Sequence, residues 1–189
     1  MTAAARPLRW NLVLIALHWL SAALILGLIA HGLIMVHGRL SAATTFDLYQ
    51  EHKSLGFVAL ALTAARLLGR LCFTAPTKLA SPLWERRLAA AVQALLYALT
   101  LAAILSGWLV VSASPLPIPT RFFGLFVVPN LAMPDPVLFA AAALAHAIAA
   151  YAIAAFVALH VAGALKHHFV DRDEALSRML PRANKLEPQ

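Results

Sequence analysis

Long apolar stretches separated by short polar segments are the main pattern along this chain. The stretches cover residues 12–35, 54–65 with a continuation past Arg66, 89–111 and 137–165. A membrane-spanning helix needs about 18 to 20 mostly apolar residues, and with their flanking turns all four stretches meet that length. The pattern therefore predicts an all-α membrane protein, a bundle of four transmembrane helices at about residues 12–36, 46–71, 84–112 and 137–169.

The connections between the predicted helices contain residues that interrupt helices. The second connection is a proline-containing loop from Ala75 to Pro82. The third connection is the longest, and its prolines exclude a regular helix through most of its length; they are Pro115, Pro117, Pro119, Pro129, Pro134 and Pro136. We expect a partly apolar outer cap in this connection, with four residues at the membrane interface: Phe122, Phe123, Leu125 and Phe126.

The first apolar stretch could also be a secretory signal, since Arg6 and Arg9 precede it. Its apolar run is too long for a signal peptide, and it ends at His37-Gly38-Arg39 rather than at small residues typical of a cleavage site. We therefore expect a retained helix. The chain shows no internal repeat of about 20 to 50 residues, and a single domain over residues 1–189 is expected.

Composition supports the membrane assignment and limits the possible metal chemistry. Hydrophobic residues make up 62% of the chain and charged residues only 12%, which is far from the balance of a soluble globular protein. The single cysteine, Cys72, allows neither an internal disulfide nor a thiolate cluster. Any metal site must therefore use histidine.

The net charge of +7 reports orientation rather than nucleic-acid binding, because the basic residues are segregated. Twelve of the 15 lysines and arginines lie near the N-terminus, in the second connection or in the tail, namely Arg6, Arg9, Arg66, Arg70, Lys78, Arg86, Arg87, Lys166, Arg172, Arg178, Arg182 and Lys185. The other two connections hold Arg39, Lys53 and Arg121. The positive-inside rule therefore predicts that both termini and the second connection are cytoplasmic, in a multi-pass membrane protein.

Histidine spacing is the strongest functional signal in the chain. Polar side chains at membrane depth are costly and usually mark a site, and this chain has eight histidines. His146 and His160 are 14 residues apart on the fourth predicted helix. That spacing turns about 1400°, within about 40° of whole turns, and separates them by about 21 Å along the axis. Two such positions on one face are suited to two haems stacked within a helical bundle.

Each haem with two imidazole ligands needs a partner histidine at the same depth on another helix. His18 lies about two turns from the inner end of helix 1, as His160 does on helix 4. His52 and His146 both lie near the outer ends of their helices. We therefore expect an inner pair, His18 with His160, and an outer pair, His52 with His146.

Two alternatives remain for the histidines. His31, 13 residues after His18, is an alternative outer ligand, although a rotation about 140° away from His18 predicts that it points away from the haem stack. His37 is expected to be solvated at the interface. The other alternative is that the four paired histidines only make hydrogen bonds between helices.

Further residues near the histidines have a functional and a structural interpretation. Gly56 and Gly163, each about one turn from a predicted ligand, would open a groove for a porphyrin face, or would simply pack helices. Arg66 and Arg70, spaced i, i+4, would neutralise haem propionates or a quinone headgroup, or would only anchor the helix inside the membrane.

The tail begins with two adjacent histidines whose role is open. His167 and His168, followed by acidic residues, lie where protons would enter from the cytoplasm. They equally suit a solvated face beside the membrane.

Taken in order, these segments resemble the bacterial cytochrome b561 family, the four-helix dihaem cytochromes that include the membrane-bound superoxide oxidase. The matching segments extend over nearly the whole chain: His18-Trp19, Glu51-His52-Lys53-Ser54-Leu55-Gly56 with Arg66 and Arg70, Leu105-Ser106-Gly107-Trp108, His146 with His160, and Lys166-His167-His168-Phe169-Val170-Asp171-Arg172-Asp173.

The resemblance implies a bacterial inner-membrane protein with two haem b groups bound by His18, His52, His146 and His160. It also implies electron transfer from the periplasmic side to ubiquinone, whose reduction would take up protons near His167 and His168. In superoxide oxidase the donor is superoxide, so a superoxide:ubiquinone oxidoreductase is the expected activity, with no catalytic residue assigned. The alternative is a haem b anchor or electron-relay subunit that serves a partner dehydrogenase or a periplasmic partner protein. A third possibility, without redox chemistry, is a small transporter with histidine proton relays. No nucleic-acid partner is expected.

Overall fold

Four long helices dominate the computed structural model, which describes residues 9–77, 79–116 and 118–181. They are α1 (Leu12–His37), α2 (Ala42–Cys72), α3 (Leu83–Ala113) and α4 (Pro136–Phe169). Each is long and apolar enough to cross a membrane. The predicted four-helix membrane fold is confirmed. Arg6, Lys78, Pro117, Arg182 and Lys185, used above, lie outside the described ranges.

Side-chain caps fix where the helices begin. The Asn11 side chain accepts a hydrogen bond from the Val13 amide (2.8 Å). The Asp135 carboxylate accepts bonds from the Val137 and Leu138 amides (2.8 and 3.0 Å), and Pro136 at the first helical position has no amide to satisfy.

α2 begins at Ala42, about four residues before the predicted start, because of a similar cap. The Ser41 side chain accepts a bond from the Thr44 amide (3.1 Å). The apolar pattern alone does not reveal such a cap, since the first turns of α2 are polar.

The helices associate as two pairs. α1 packs along α2 and α3 packs along α4, whereas α2 contacts α3 less and α1 scarcely contacts α4. The buried core is small, centred on Ala103, Ala149 and Ile153. Most of the remaining apolar side chains face outward, as is expected for helices surrounded by lipid.

The third connection contains a β-hairpin that the sequence analysis did not predict. β1 (Thr120–Phe122) pairs antiparallel with β2 (Phe126–Val128). Pro119 and Pro129 flank the two strands instead of interrupting them, which is why a proline-rich segment still forms a ladder. The turn uses left-handed backbone at both Phe123 (φ 47°) and Gly124 (φ 77°), the pattern of a type I′ turn, and the Leu125 amide donates to the Phe122 carbonyl (2.9 Å).

The hairpin is joined to α2 through Ser54, which is almost fully buried. The Phe123 amide donates to Ser54 Oγ (3.0 Å), and Ser54 Oγ lies 3.1 Å from the Arg121 carbonyl. On α3, the Trp108 indole donates to the Pro129 carbonyl (3.0 Å). The hairpin is therefore a fixed cap, and we call this end of the bundle the cap end.

The opposite end, which carries residue 9, the second connection and the tail, is called the terminal end. After α4 the chain turns back beneath the bundle and forms a short 3-10 helix at Ser177–Met179. The Trp19 indole donates to the Met179 carbonyl (2.7 Å), and Arg178 donates to the Thr77 carbonyl (2.6 Å). Arg9 donates to the Ser177 and Leu180 carbonyls.

Candidate cofactor-binding site

The fold brings four of the histidines together as two pairs at different depths. The ring centroids of His18 on α1 and His160 on α4 are 6.2 Å apart. The ring centroids of His52 on α2 and His146 on α4 are also 6.2 Å apart. These are the partners expected from depth. We call them the terminal-end pair and the cap-end pair.

The geometry of both pairs fits a metal held between two imidazoles. Metal–nitrogen distances of about 2.0 Å on both sides separate the two ring centres by about 6 Å, and both pairs measure 6.2 Å. Each pair also joins the α1–α2 side of the bundle to the α3–α4 side. α1 and α4 make few contacts with each other, so a planar group held between His18 and His160 would occupy a weakly packed part of the bundle.

The two predicted groove glycines lie in open surroundings. A Cβ atom added at Gly56 or at Gly163 would meet no heavy atom within 4 Å, leaving aside the helix's own backbone and chain neighbours. Helix packing in the described structure therefore does not require a glycine at either position. Open space one turn from His52 and one turn from His160 is compatible with a flat ring beside each histidine.

His146 is held by the backbone of α3. Its Nδ1 lies 2.7 Å from the Ala103 carbonyl oxygen. A carbonyl only accepts, so Nδ1 carries the proton and the Nε2 lone pair is free to bind a metal. Metal-binding histidines usually have such a partner for the second nitrogen.

Gly107 is a site residue that the sequence analysis did not assign. A Cβ at this position would lie 3.0 Å from both Cε1 and Nδ1 of His146. Any other residue here would require the ring to shift by a few tenths of an ångström. The segment Leu105-Ser106-Gly107-Trp108 contributed to the family resemblance, but α3 carries no histidine, so nothing in its own chemistry pointed to the contact.

His18 has a charged partner instead of a backbone partner. Arg66 Nη2 lies 3.2 Å from His18 Nδ1. A guanidinium can only donate, so this contact uses the Nδ1 lone pair. If His18 held iron through Nε2, Nδ1 would carry the proton and could no longer accept from Arg66.

Arg66 and Arg70 both contact the ring of Tyr97, which lies on α3. The guanidinium carbons lie 5.0 and 5.6 Å from the Tyr97 centroid, and that of Arg70 lies 5.9 Å from the Trp10 centroid. Arg70 also donates to the Gln93 side chain (3.4 Å). Arg66 therefore contacts both His18 and Tyr97, and Arg70 belongs to a groove of about 530 Å³ lined by Leu67, Arg70, Ala90, Gln93, Ala94, Tyr97, Ala98 and Leu101.

His31, predicted to point away from the haem stack, lies beside one of the predicted ligands. Its ring centroid lies 5.7 Å from that of His52. The rotation argument correctly separates the directions of His18 and His31, but α1 has neighbours on more than one side. His18 faces α4 while His31 faces α2, which also contributes to the site. His37 is exposed at the end of α1, as expected.

His167 and His168 lie at the terminal end, where His167 joins an ionic network. His167 Nδ1 lies 2.7 Å from Asp173 and 3.2 Å from Asp171. Lys166 Nζ lies 2.7 Å from Glu85 and 2.9 Å from Asp171. Glu85, His167 and Asp171 could together approach a metal ion, but Lys166 already supplies the positive charge there.

His168 is exposed, with its ring against Phe169 (4.7 Å between centroids). The contacts of both tail histidines fit a solvated face beside the membrane.

The fold and its histidines define a class: a multi-pass helical membrane protein with paired imidazoles at two depths. A family model described as prokaryotic cytochrome b561 matches residues 9–182. Cytochrome b561 homolog 2 of Escherichia coli (strain K12) is 34% identical over 179 residues, which cover 94% of this chain and 94% of that protein. The chain belongs to the prokaryotic cytochrome b561 family. It is therefore a bacterial membrane protein of electron transfer, and its family implies haem b.

Proposed function

We propose that this protein binds two haem b groups and carries electrons across the membrane from a donor at the cap end to ubiquinone at the terminal end. His52 and His146 would hold one haem, and His18 and His160 the other. The observation that carries the proposal is the equal 6.2 Å separation within the two pairs. When bound, haem b supplies iron that alternates between ferric and ferrous states.

The position of the two pairs along α4 supports transfer across the bilayer. His146 and His160 are 14 residues apart within one uninterrupted helix, a rise of about 21 Å. The hydrocarbon core of a membrane is about 30 Å thick, so the two pairs would divide that distance. The segregation of basic residues at the terminal end favours a cytoplasmic location for that end.

Superoxide is the donor that we propose, and the charges at the cap end give it only local attraction. Lys53 lies beside His52, and Arg39 and Arg121 lie in the adjoining connections. Three acidic residues balance them, Asp47, Glu51 and Asp135. Steering of an anion must therefore come from the position of Lys53 more than from the field of the whole surface. Two superoxide ions would each lose one electron and leave as oxygen.

Ubiquinone is the proposed acceptor, and the groove between α2 and α3 is suited to it. Arg70, Gln93 and Tyr97 offer hydrogen-bond donors for a quinone carbonyl, while leucines and alanines line the remainder. One ubiquinone takes up two electrons and two protons to form ubiquinol. We propose His167 and His168, at the terminal end, as groups that pass the protons from the cytoplasm.

A relay function with a partner protein is the second candidate, and the cap supports it. The hairpin and the following loop expose large apolar side chains: Leu125 is 78% exposed, Phe126 57% and Met133 82%. Exposed apolar groups at one end of a membrane protein suit either the lipid interface or a docked protein. Attraction of a small anion needs an excess of positive charge, whereas a protein partner can bind a surface whose charges are balanced. The balanced charge of the cap therefore suits a protein partner better.

Haem content and turnover of the purified protein test the proposal. A pyridine haemochrome assay should give two haem b per chain, with low-spin bands in the reduced-minus-oxidised spectrum. In stopped-flow mixing, superoxide should reduce the protein in one fast phase, and a short-chain ubiquinone should reoxidise it. One haem per chain would contradict the four-histidine assignment. Slow reduction by superoxide, accelerated by a periplasmic protein, would favour the relay function.

A further inference from the structure

His31 has no role in the function proposed so far, yet it lies against the cap-end pair. Its ring centroid is 5.7 Å from that of His52. The adjacent residue, Gly32, also meets this ring, because a Cβ added there would lie 3.7 Å from His52 Cε1. One turn of α1 therefore forms the wall behind His52.

The two facing rings each have a buried nitrogen that lacks a hydrogen bond. Among the residues that the structure describes, neither His31 Nε2 nor His52 Nδ1 has a partner. A buried polar atom left without a partner costs folding free energy, because it loses its hydrogen bonds to water and gains none in the protein. Two such atoms on neighbouring rings relieve both costs if one donates and the other accepts.

A histidine that binds a metal through Nε2 needs an acceptor for the proton on Nδ1. On the opposite side of the cap-end pair, His146 has this acceptor in the Ala103 carbonyl, at 2.7 Å. His52 lies within α2, where the helix uses its own carbonyls. Gln50 Oε1 is also buried without a partner among the described residues. Gln50 is two positions from His52, however, so it points about 200° around the helix from it. His31 is the ring that faces it.

We propose that His31 is a positioning residue for the cap-end haem: neutral His31 accepts, through Nε2, the Nδ1 hydrogen of His52. A direct bond of about 2.9 Å between the nitrogens would place the ring centres about 5 Å apart, somewhat closer than the observed 5.7 Å. The bond fixes the tautomer of His52 with Nε2 towards the iron. The inference rests on the proposed function only in requiring haem between His52 and His146.

The consequence is a change in the electron density that His52 supplies to iron. An imidazole whose Nδ1–H is hydrogen-bonded is the stronger donor and favours the ferric state. Loss of the acceptor should therefore raise the midpoint potential of the cap-end haem and weaken haem retention. Partners of this kind typically change metal affinity by about 10- to 100-fold.

The test compares His31→Leu with His31→Gln, since glutamine keeps an oxygen acceptor and leucine does not. His37→Leu is the matched control, because His37 lies on the same helix but is exposed. Redox titration of the purified protein gives the potential of each haem, with the cap-end component assigned as the one missing in His52→Ala. Haem loss to apomyoglobin gives relative retention.

We expect His31→Leu to keep two haems, to show a higher potential for the cap-end component alone, and to lose that haem at least about tenfold faster. His31→Gln should restore most of both properties, and His37→Leu should match the unmodified protein. Equal potentials in all variants, or equal shifts with Leu and Gln, would reduce His31 to a packing residue. Loss of one haem in both His31 variants would make it a ligand instead. Unmodified protein without haem would overturn this inference together with the proposed function.

Discussion

The two ends of the bundle hold histidine pairs at the same ring separation but surround them with different chemistry. The five ion pairs found among the described residues all lie at the terminal end. Among the same described residues, the buried side-chain nitrogen and oxygen atoms that lack a hydrogen-bond partner all lie at the cap end. They belong to His31, Gln50, His52 and Thr120. The terminal end is therefore organised by charge. The cap end is organised by neutral hydrogen bonds, and some of its buried polar atoms have no partner.

This difference affects how firmly each pair is oriented. At the cap end the Ala103 carbonyl, part of the α3 backbone, fixes His146, and Ser54 fixes the hairpin beside it. At the terminal end the hydrogen-bond partner of His18 is a side chain, the guanidinium of Arg66. A backbone contact defines a ring orientation more strictly than a long side chain does. A rigid electron-entry site and an adaptable site beside quinone and protons would have these respective features.

The strongest test of the comparison removes one ligand from each end. His52→Ala should abolish the cap-end haem and leave the terminal-end haem, whereas His18→Ala should do the reverse, because a single imidazole no longer holds low-spin iron. Haem content should fall from about two to about one per chain, with different spectral components lost. His37→Ala, an exposed histidine, is the control. If both substitutions remove the same component, the assignment of pairs to ends is wrong.

Much of this arrangement could be predicted from the sequence because it depends on the geometry of single helices. The rise and rotation of α4 place His146 and His160 on one face at two depths, and depth alone selects His52 and His18 as partners. Contacts that depend on how neighbouring helices rotate against each other could not be predicted. His31 is the clearest case, since its direction on α1 says nothing about the position of α2.

The contributions of α3 and of the cap were missed for different reasons. The contact of Ala103 and Gly107 with His146 involves a backbone carbonyl and an absent side chain, neither of which has a chemical signature in a sequence. The hairpin was missed because Pro119 and Pro129 suggested irregular structure, although proline at the edge of a strand is compatible with pairing.

An intermediate effect is expected when the backbone-fixed end loses its close contact. Gly107→Ala places a methyl group 3.0 Å from two atoms of the His146 ring, and overpacking of this kind costs about 1 to 3 kcal/mol. The ring should shift and the cap-end haem should be retained about tenfold less tightly, or weaker still. Haem transfer to apomyoglobin measures this.

Gly27→Ala is the matched control for Gly107→Ala, since a Cβ at Gly27 meets nothing within 4 Å. It should leave both haems bound as in the unmodified protein. If Gly107→Ala weakens the terminal-end haem instead, the cap-end pair is not the one that α3 supports.

The smallest expected effect concerns the charged end and is electrostatic. A nearby cation favours the ferrous state, because reduction adds negative charge. Arg66→Gln should therefore lower the midpoint potential of the terminal-end haem, by on the order of 1 kcal/mol or about 40 mV for one electron.

Arg70→Gln is the matched control: Arg70 lies one turn further along α2 and contacts Tyr97, Trp10 and Gln93. It should change the KM for ubiquinone more than the potential. Equal shifts of both haems in Arg66→Gln would show a general loss of positive charge, and the distinction between an end organised by charge and an end organised by neutral contacts would then fail.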